Sequence, residues 1–450
     1  MVQMHGTMRK QNLGNNRRRP ATVMKSGIYA RRIVDSELDE LVPSVGAISI
    51  EGPKAVGKTE TALQRAKTVR RLDDPGERAI LEAAPQRLVE GSPPILVDEW
   101  QRLPQSWDLV RREVDRDGTP GRFLLTGSAA PAEYPAHSGA GRIVTVRIRP
   151  MTLMERGVET PTVNLRTLLE GNRPEIEGRT SIGLEDYTEE ILASGFPGLR
   201  GVTGRALRAQ LDGYLERIVQ RDFEDAGYVV RKPQTLTRWL AAYAAATSTV
   251  ATWETLRRAA TAGEDEKPSR TVTRPYRDVL ERLWILDPVP GWAPTRSPLS
   301  RLALAPKHQL ADPALASRLL GATADSLLEG RASDPHIGPK DGTLLGQLFE
   351  SLVTLSVRVF AQATEARVFH LRTKEGRQEI DLIIERADHR VLAVEVKLSA
   401  MVTDDDVRHL KWLEGELGDA LIDMAVIHTG PEAYRRKDGV AVIPAALLGA

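Results

Sequence analysis

Apolar and polar positions are patterned differently along three stretches of this chain. In the first third, short apolar runs stand between Gly, Pro and charged residues: Val45 to Ile50, Pro94 to Asp98, Arg122 to Ser128 and Ile143 to Ile148. Runs of that length without strict alternation suit strands buried on both faces, as in a parallel sheet. Glu60 to Arg71, after the first run, reads as a helix. Residues 156–190 are polar, with several Gly and Pro, and read as a linker or an insertion. A helical period then takes over. Leu207 to Asp225 carries Leu211, Leu215 and Ile218 on one face, and Leu236 to Ala246, Thr252 to Ala262 and Ser269 to Trp284 follow it. Ile285 to Pro290 is extended. Farther on, Leu345 to Phe360 reads as an apolar helix, and Gln378 to Ile384 and Val391 to Lys397 read as strands joined by a short link.

At 450 residues the chain exceeds one ordinary core, so two or three domains are expected. The pattern divides it into a basic leader at 1–27, an α/β domain at 28–155 and a linker with a helical segment at 156–205. A helical region at 206–300 and a second α/β domain at 301–450 complete it. The 62 basic and 61 acidic side chains balance overall, but residues 1–35 hold eight Lys/Arg against Asp35 alone. That segment reads as a nucleic-acid arm or as a disordered leader. No cysteine is present, which excludes disulfides, thiolate catalysis and Cys-ligated metals. No apolar run reaches about 18 residues and the first residues lack an apolar signal core, so no membrane span and a cytoplasmic address are expected.

Candidate chemistry concentrates first at Gly52-Pro53-Lys54-Ala55-Val56-Gly57-Lys58-Thr59, a complete G-x-x-x-x-G-K-T between a strand and a helix. Glycines let the backbone wrap so that successive N–H groups face an anion, and the following helix adds its positive end. Lys58 would reach the outer phosphates of ATP and Thr59 would ligate Mg²⁺. The run Pro94 to Glu99 ends in Asp98 and Glu99, the first placed to hold Mg²⁺ and the second to orient the attacking water. Thr126 and Ser128, ending the third strand, are candidate sensors of the γ-phosphate, or a simple turn. Arg142 is a candidate finger for a neighbouring subunit's nucleotide, with Arg147 and Arg149 as competitors; an oligomer is implied if it acts in trans.

The order GPKAVGKT, ILVDEW, LLTGSA, GAGRI resembles the AAA-type P-loop ATPase domain of a large bacterial and archaeal group whose members share an uncharacterised C-terminal region. Arg149 to Glu155 and Ser194-Gly195-Phe196-Pro197 continue the resemblance, which spans roughly residues 28 to 430. It implies ATP and Mg²⁺ as ligands, with Lys58 and Thr59 on phosphate and metal, Asp98 and Glu99 as the acids, and Arg142 as the finger. Thr126 departs from the asparagine usual at the sensor position, and Ser194 from a glycine.

Helix, helix, helix, extended strand is the order of a winged helix, and the resemblance agrees. Such modules bind DNA or dock proteins; Arg257, Arg258, Lys267, Arg270, Arg274 and Arg277 give this one a basic bias, diluted by nearby acids. In the C-terminal domain, Asp381 on one strand and Glu395 and Lys397 two residues apart on the next look like the PD-(D/E)xK nuclease pattern, with Glu350 supplied by the preceding helix. That resemblance implies Mg²⁺ or Mn²⁺ on Glu350, Asp381 and Glu395, with Lys397 catalytic. An ordinary salt bridge on a hairpin satisfies the same residues. The sequence therefore predicts an ATPase controlling a C-terminal module that engages nucleic acid. Its alternatives are an ATP-regulated nuclease and a slow nucleotide-gated switch that docks a protein.

Overall fold

The computed structural model describes residues 29–127, 139–261, 268–294, 303–328, 341–373 and 376–450. Its fold class is mixed α/β. Five strands, β1 (Ala47–Glu51), β2 (Thr68–Arg71), β3 (Ile95–Asp98), β4 (Phe123–Gly127) and β5 (Ile143–Arg147), form a wholly parallel sheet in the order β2-β3-β4-β1-β5. Successive side chains leave a strand on opposite faces, and here they enter two separate cores. Ala47, Ile95, Val97, Phe123 and Leu125 meet Trp107 and Val110 of the helix Gln105–Arg116. Ile48, Ile50, Leu96 and Leu124 face Leu38 and Ala62 on the other side. The sheet edge at the strands' carboxyl ends is where the candidate chemistry collects.

The helix expected over Glu60 to Arg71 is shorter. It runs only from Lys58 to Leu63, and Thr68–Arg71 becomes the edge strand β2. Thr68 and Val69 are β-branched, and lying parallel to β3 gives their backbone groups partners that a longer helix would have left β3 without.

Residues 156–190, expected as linker or insertion, are built into the far end of the chain. β6 (Val163–Asn164) pairs with β15 (Leu448–Gly449), and β7 (Glu177–Arg179) is the edge of a second sheet. That sheet adds β8 (Gly291–Trp292), β9 (Arg367–Arg372), β10 (Glu379–Glu385), β11 (Val391–Lys397), β12 (Leu421–His428), β13 (Glu432–Arg435) and β14 (Ala441–Pro444) in the order β7-β13-β14-β12-β11-β10-β9-β8. The hairpin β10–β11 has the expected antiparallel register, Leu382 opposite Val394. The helix Asp341–Gln362 lies against one face, its Leu348, Leu352 and Phe360 sharing a core with Leu382, Ile384 and Leu392. Its segment Leu344–Gln362 is long and apolar enough to cross a membrane by composition, but 67% of that window is buried inside the protein, as a core helix would be.

Between the sheets lie the helices Gly204–Arg217, Pro233–Ala245, Trp253–Ala259 and Arg270–Arg282, and the first continues through a π turn at Ile218–Asp222. An antiparallel hairpin follows, with Leu286 opposite Leu310 and Val289 opposite Lys307. It leads into β8, so this unit is sewn to the C-terminal sheet. Ser194 has φ +67°, the conformation that favours glycine, and its hydroxyl donates to buried Asp312 at 2.9 Å. That bond, with Gly195 N–H to the same carboxylate at 2.6 Å, holds a serine where the resembled family has glycine.

The three units meet at Asp287. Arg147 and Arg149 from the end of the first sheet approach its carboxylate at 2.9 Å each, and Arg358 of the long C-terminal helix at 2.7 Å. Arg147 also lies over the Trp284 ring, 4.3 Å from its centre. Burial alone would raise the Asp287 carboxyl, but the three guanidiniums hold it far below the carboxylate range. Asp287→Asn should leave three buried guanidiniums without their anion and cost about 3–5 kcal/mol in urea unfolding. Glu432→Gln, which breaks the exposed Arg179 pair, should stay within about 0.5 kcal/mol. Equal losses would show that Asp287 does not hold the units together.

Candidate functional site

The segment after β1 turns sharply because it has to. A Cβ on Gly52 would sit 2.3 Å from the Ile148 carbonyl oxygen, and Gly57 has φ +103° where the short helix begins. Lys58, only 5% exposed, folds back and donates to the carbonyls of Gly52 at 2.9 Å and Pro53 at 2.8 Å. Burial pulls its ammonium down to about 8, against the pull of Glu99 and Asp98. A bound phosphate would supply a stronger acceptor than either carbonyl.

The register β3–β4 puts Asp98 beside Thr126, and Asp98 Oδ1 accepts from both the Thr59 hydroxyl at 2.7 Å and the Thr126 hydroxyl at 2.5 Å. Two hydroxyls, one from the helix start and one from β4, and the β3 carboxylate are hard oxygen donors, the set Mg²⁺ takes together with phosphate oxygens and water. The residues present fit the ion. Glu99 follows in the left-handed region, φ 54°, which turns it away from β3, and Gln101 Nε2 donates to Glu99 Oε2. Trp100 and Trp107, ring centres 4.6 Å apart, are packing groups of the adjoining core. Ser128 lies outside the described residues.

Sequence reasoning missed three residues here. Glu51 ends β1 beside the loop, and burial raises its carboxyl while Lys58 and Arg147 oppose that. Its only sequence signal is an acid immediately before Gly52. Arg32 is buried behind the loop, donating to the Val56 carbonyl at 3.2 Å and the Arg149 carbonyl at 2.8 Å, and pairing with Glu155 at 2.9 Å. Asp222, in the π turn, takes the Lys54 ammonium at 2.5 Å, and the Tyr214 hydroxyl donates to the Lys54 carbonyl. The phosphate loop is thereby tied to the helical unit, and nothing local in sequence announces a partner so far away.

The arginine candidates separate cleanly. Arg142 is 47% exposed and pairs with Asp115 of its own chain at 2.8 Å. Arg147 and Arg149 are buried on Asp287, which corrects their standing as competing fingers: both are committed to holding units together.

The C-terminal acids converge as expected but do not present an open metal site. Lys307, from the hairpin after the helical unit, places its ammonium 2.8 Å from Glu350 Oε1 and 3.1 Å from Asp381 Oδ1. Asp381 Oδ2 accepts the Val396 N–H at 2.9 Å, and Lys397 pairs with Glu395 at 3.2 Å. Among the described residues no group of three or more His, Cys, Asp or Glu is arranged to hold a metal. The divalent ion expected on Glu350, Asp381 and Glu395, with Lys397 as its catalytic neighbour, is not shown; the Lys307 ammonium lies between Glu350 and Asp381.

Burial, then Asp381, lift the Glu350 carboxyl to about 8 despite Lys307, and Glu395 is likewise raised, with Lys397 opposing. Asp381 stays below the usual range because Lys307 and the Val396 amide outweigh its burial. From pH 5 to 8 the folded state therefore keeps a proton at Glu350 that the unfolded chain has released, and stability from this group is lost as pH rises. Glu350→Gln should remove that slope, so the variant gains on the wild type by up to about 1.4 kcal/mol per pH unit across that window. Urea unfolding at several pH values measures it, and parallel slopes would refute the raised value.

Residues 45–156 match the family described as an AAA domain, residues 184–326 a domain of unknown function (DUF8612), and residues 345–448 another (DUF4143). An uncharacterized protein of Mycobacterium tuberculosis and one of Mycobacterium bovis are each 24% identical over 442 residues, covering 95% of this chain and 86% of theirs. Among solved structures, a Walker-type ATPase of Pyrococcus abyssi aligns with TM-score 0.38 and 16% identity, over 65% of this chain and 96% of its own. The AAA-domain match lies on the parallel sheet that carries the phosphate-loop sequence, and it covers residues 45–156 alone.

Proposed function

We propose that this protein is a Mg²⁺-dependent ATPase whose nucleotide state adjusts how its helical unit holds nucleic acid. The observation that carries the ATPase reading is Asp98 accepting both Thr59 and Thr126 beside the buried Lys58. In this reading Lys58 moves from its loop carbonyls to the outer phosphates, and Thr59 and Asp98 hold Mg²⁺, which neutralises phosphate charge. Glu99 orients the water for in-line attack on the γ-phosphorus. Arg142, held on its own chain by an exposed pair with Asp115, completes the clamp for a neighbouring copy. Glu99→Gln should retain ATP while kcat falls by about 10²–10⁴-fold, and Lys58→Ala should lose nucleotide binding. Nucleotide-retention and phosphate-release assays test both, and undiminished turnover in Glu99→Gln would remove Glu99 from its role.

The nucleic-acid reading rests on the helix Arg270–Arg282, third in a helix-helix-helix-hairpin order that suits a winged helix. Among the described residues, Arg270 and Arg274, 83% and 80% exposed, meet acids at 3.9 Å, whereas Arg257 and Arg277 are paired more closely. The link Lys54–Asp222 supplies a route from the phosphate loop, since a nucleotide drawing on Lys54 would release the π turn. Arg270→Glu with Arg274→Glu should weaken binding of a labelled duplex at least tenfold and flatten its salt dependence. Asp222→Asn should keep ATP hydrolysis but abolish any difference in duplex affinity between ATP and ADP. Fluorescence anisotropy reads both effects, and a duplex affinity untouched by the arginine changes would favour a protein-docking switch.

A further inference from the structure

The acidic cluster of the C-terminal sheet contains a cation of its own. Lys307 is 1% exposed, and its main chain is fixed opposite Val289 by reciprocal hydrogen bonds of 2.9 and 2.8 Å. The side chain therefore enters from a paired hairpin, not from a loose loop, and its ammonium reaches Glu350 and Asp381 together. Although burial opposes its charge, the two carboxylates hold it well above the ordinary lysine range.

We infer that Lys307 is the resident cation of this cluster, occupying the place where a divalent ion would bind, and that the C-terminal domain is a metal-free module that does not cut phosphodiesters. The charges agree. Three carboxylates (Glu350, Asp381 and Glu395) face two ammoniums, Lys307 buried and Lys397 part-exposed, so without any metal the cluster carries a single uncompensated negative charge. Adding a divalent ion beside the lysine would turn that single negative charge into a net positive one around an ammonium that is 1% exposed. Displacing the lysine would strand its ammonium beneath the surface. Oxygen ligands of Mg²⁺ also close to about 2.0–2.1 Å around the ion, whereas Glu350 and Asp381 are spaced around an ammonium, and the second oxygen of Asp381 is held by the Val396 amide. The inference is independent of the ATPase reading, because no atom of the phosphate loop enters it.

The test uses the full-length, nucleotide-free protein and Mn²⁺ alone, with binding read by electron paramagnetic resonance, and labelled DNA and RNA for cleavage. In the wild type, Asp381→Asn should leave the Mn²⁺ isotherm unchanged, and no cleavage should appear that this change abolishes. Lys307→Met should gain one Mn²⁺ site at least tenfold tighter than any in the wild type, and Lys307→Met with Asp381→Asn should lose it again. A wild-type Mn²⁺ site or nuclease activity that Asp381→Asn removes would overturn the inference, as would a folded Lys307→Met that gains no site. Should Lys307→Met fail to fold, the comparison of wild type with Asp381→Asn decides the matter by itself.

Discussion

A charge taken out of water has to find its opposite, and the architecture of this chain turns on one such case. Asp287 sits in the hairpin that leaves the helical unit, and the three guanidiniums around it come from the parallel sheet and from the long C-terminal helix. Each unit brings a charge it could not bury alone. An aspartate here without the arginines, or the arginines without the aspartate, would face a desolvation penalty of several kcal/mol per ion. The units are therefore obliged to meet in one arrangement, and apolar packing fills the space around that meeting. Gln362 adds to it, accepting from Arg149 at 3.0 Å and donating to the Arg147 carbonyl at 2.8 Å, so the last turn of the C-terminal helix is read by the end of β5.

That arrangement has a mechanical consequence for the phosphate loop. The loop is held from behind by Arg32, which is itself locked by Glu155, and at its outer side by Asp222 through Lys54. The first contact comes from residues of the same α/β unit that carries the loop, so it fixes the loop's position. The second belongs to a different unit and to a π turn, a backbone form that is rarely used and often found at functional sites. The extra residue of a π turn rotates the side chains beyond it relative to an uninterrupted helix. Here it brings Asp222 inward to Lys54 while leaving Val219 and Phe223 in the core. The loop is therefore in direct contact with the helical unit, whose chain runs on into the C-terminal sheet at β8.

The nucleotide site was legible in sequence because its parts are contiguous and its geometry is set by short-range constraints. Gly52, Gly57, Lys58 and Thr59 lie within eight residues, and Asp98 is brought to them by the register of adjacent parallel strands. Strand pattern sufficed for four of the five strands of that sheet, and β2 escaped because its pairing with β3, not its own composition, decides between helix and strand. The stretch at 156–190 escaped for a related reason. Its strands are only two and three residues long, and they exist because β15 and β13, more than two hundred residues later, offer them an edge. Arg32, Asp222 and Asp287 were invisible for a like cause: a polar residue's partner far along the chain leaves no periodic trace.

The C-terminal cluster shows where motif reading stops being informative. Asp381, Glu395 and Lys397 resemble a metal-dependent nuclease pattern in spacing, and they lie on the adjoining antiparallel strands β10 and β11. Spacing within a motif reports only which side chains can converge; it does not report what converges on them from elsewhere. Lys307 lies more than seventy residues before Asp381 and belongs to a different supersecondary unit, yet its ammonium decides the charge of the cluster. Two acids and a lysine on adjoining strands are compatible with catalysis only while the space between the acids is left for a hard cation. Once a second lysine is anchored there by a paired backbone, the same residues form an internal salt-bridge network.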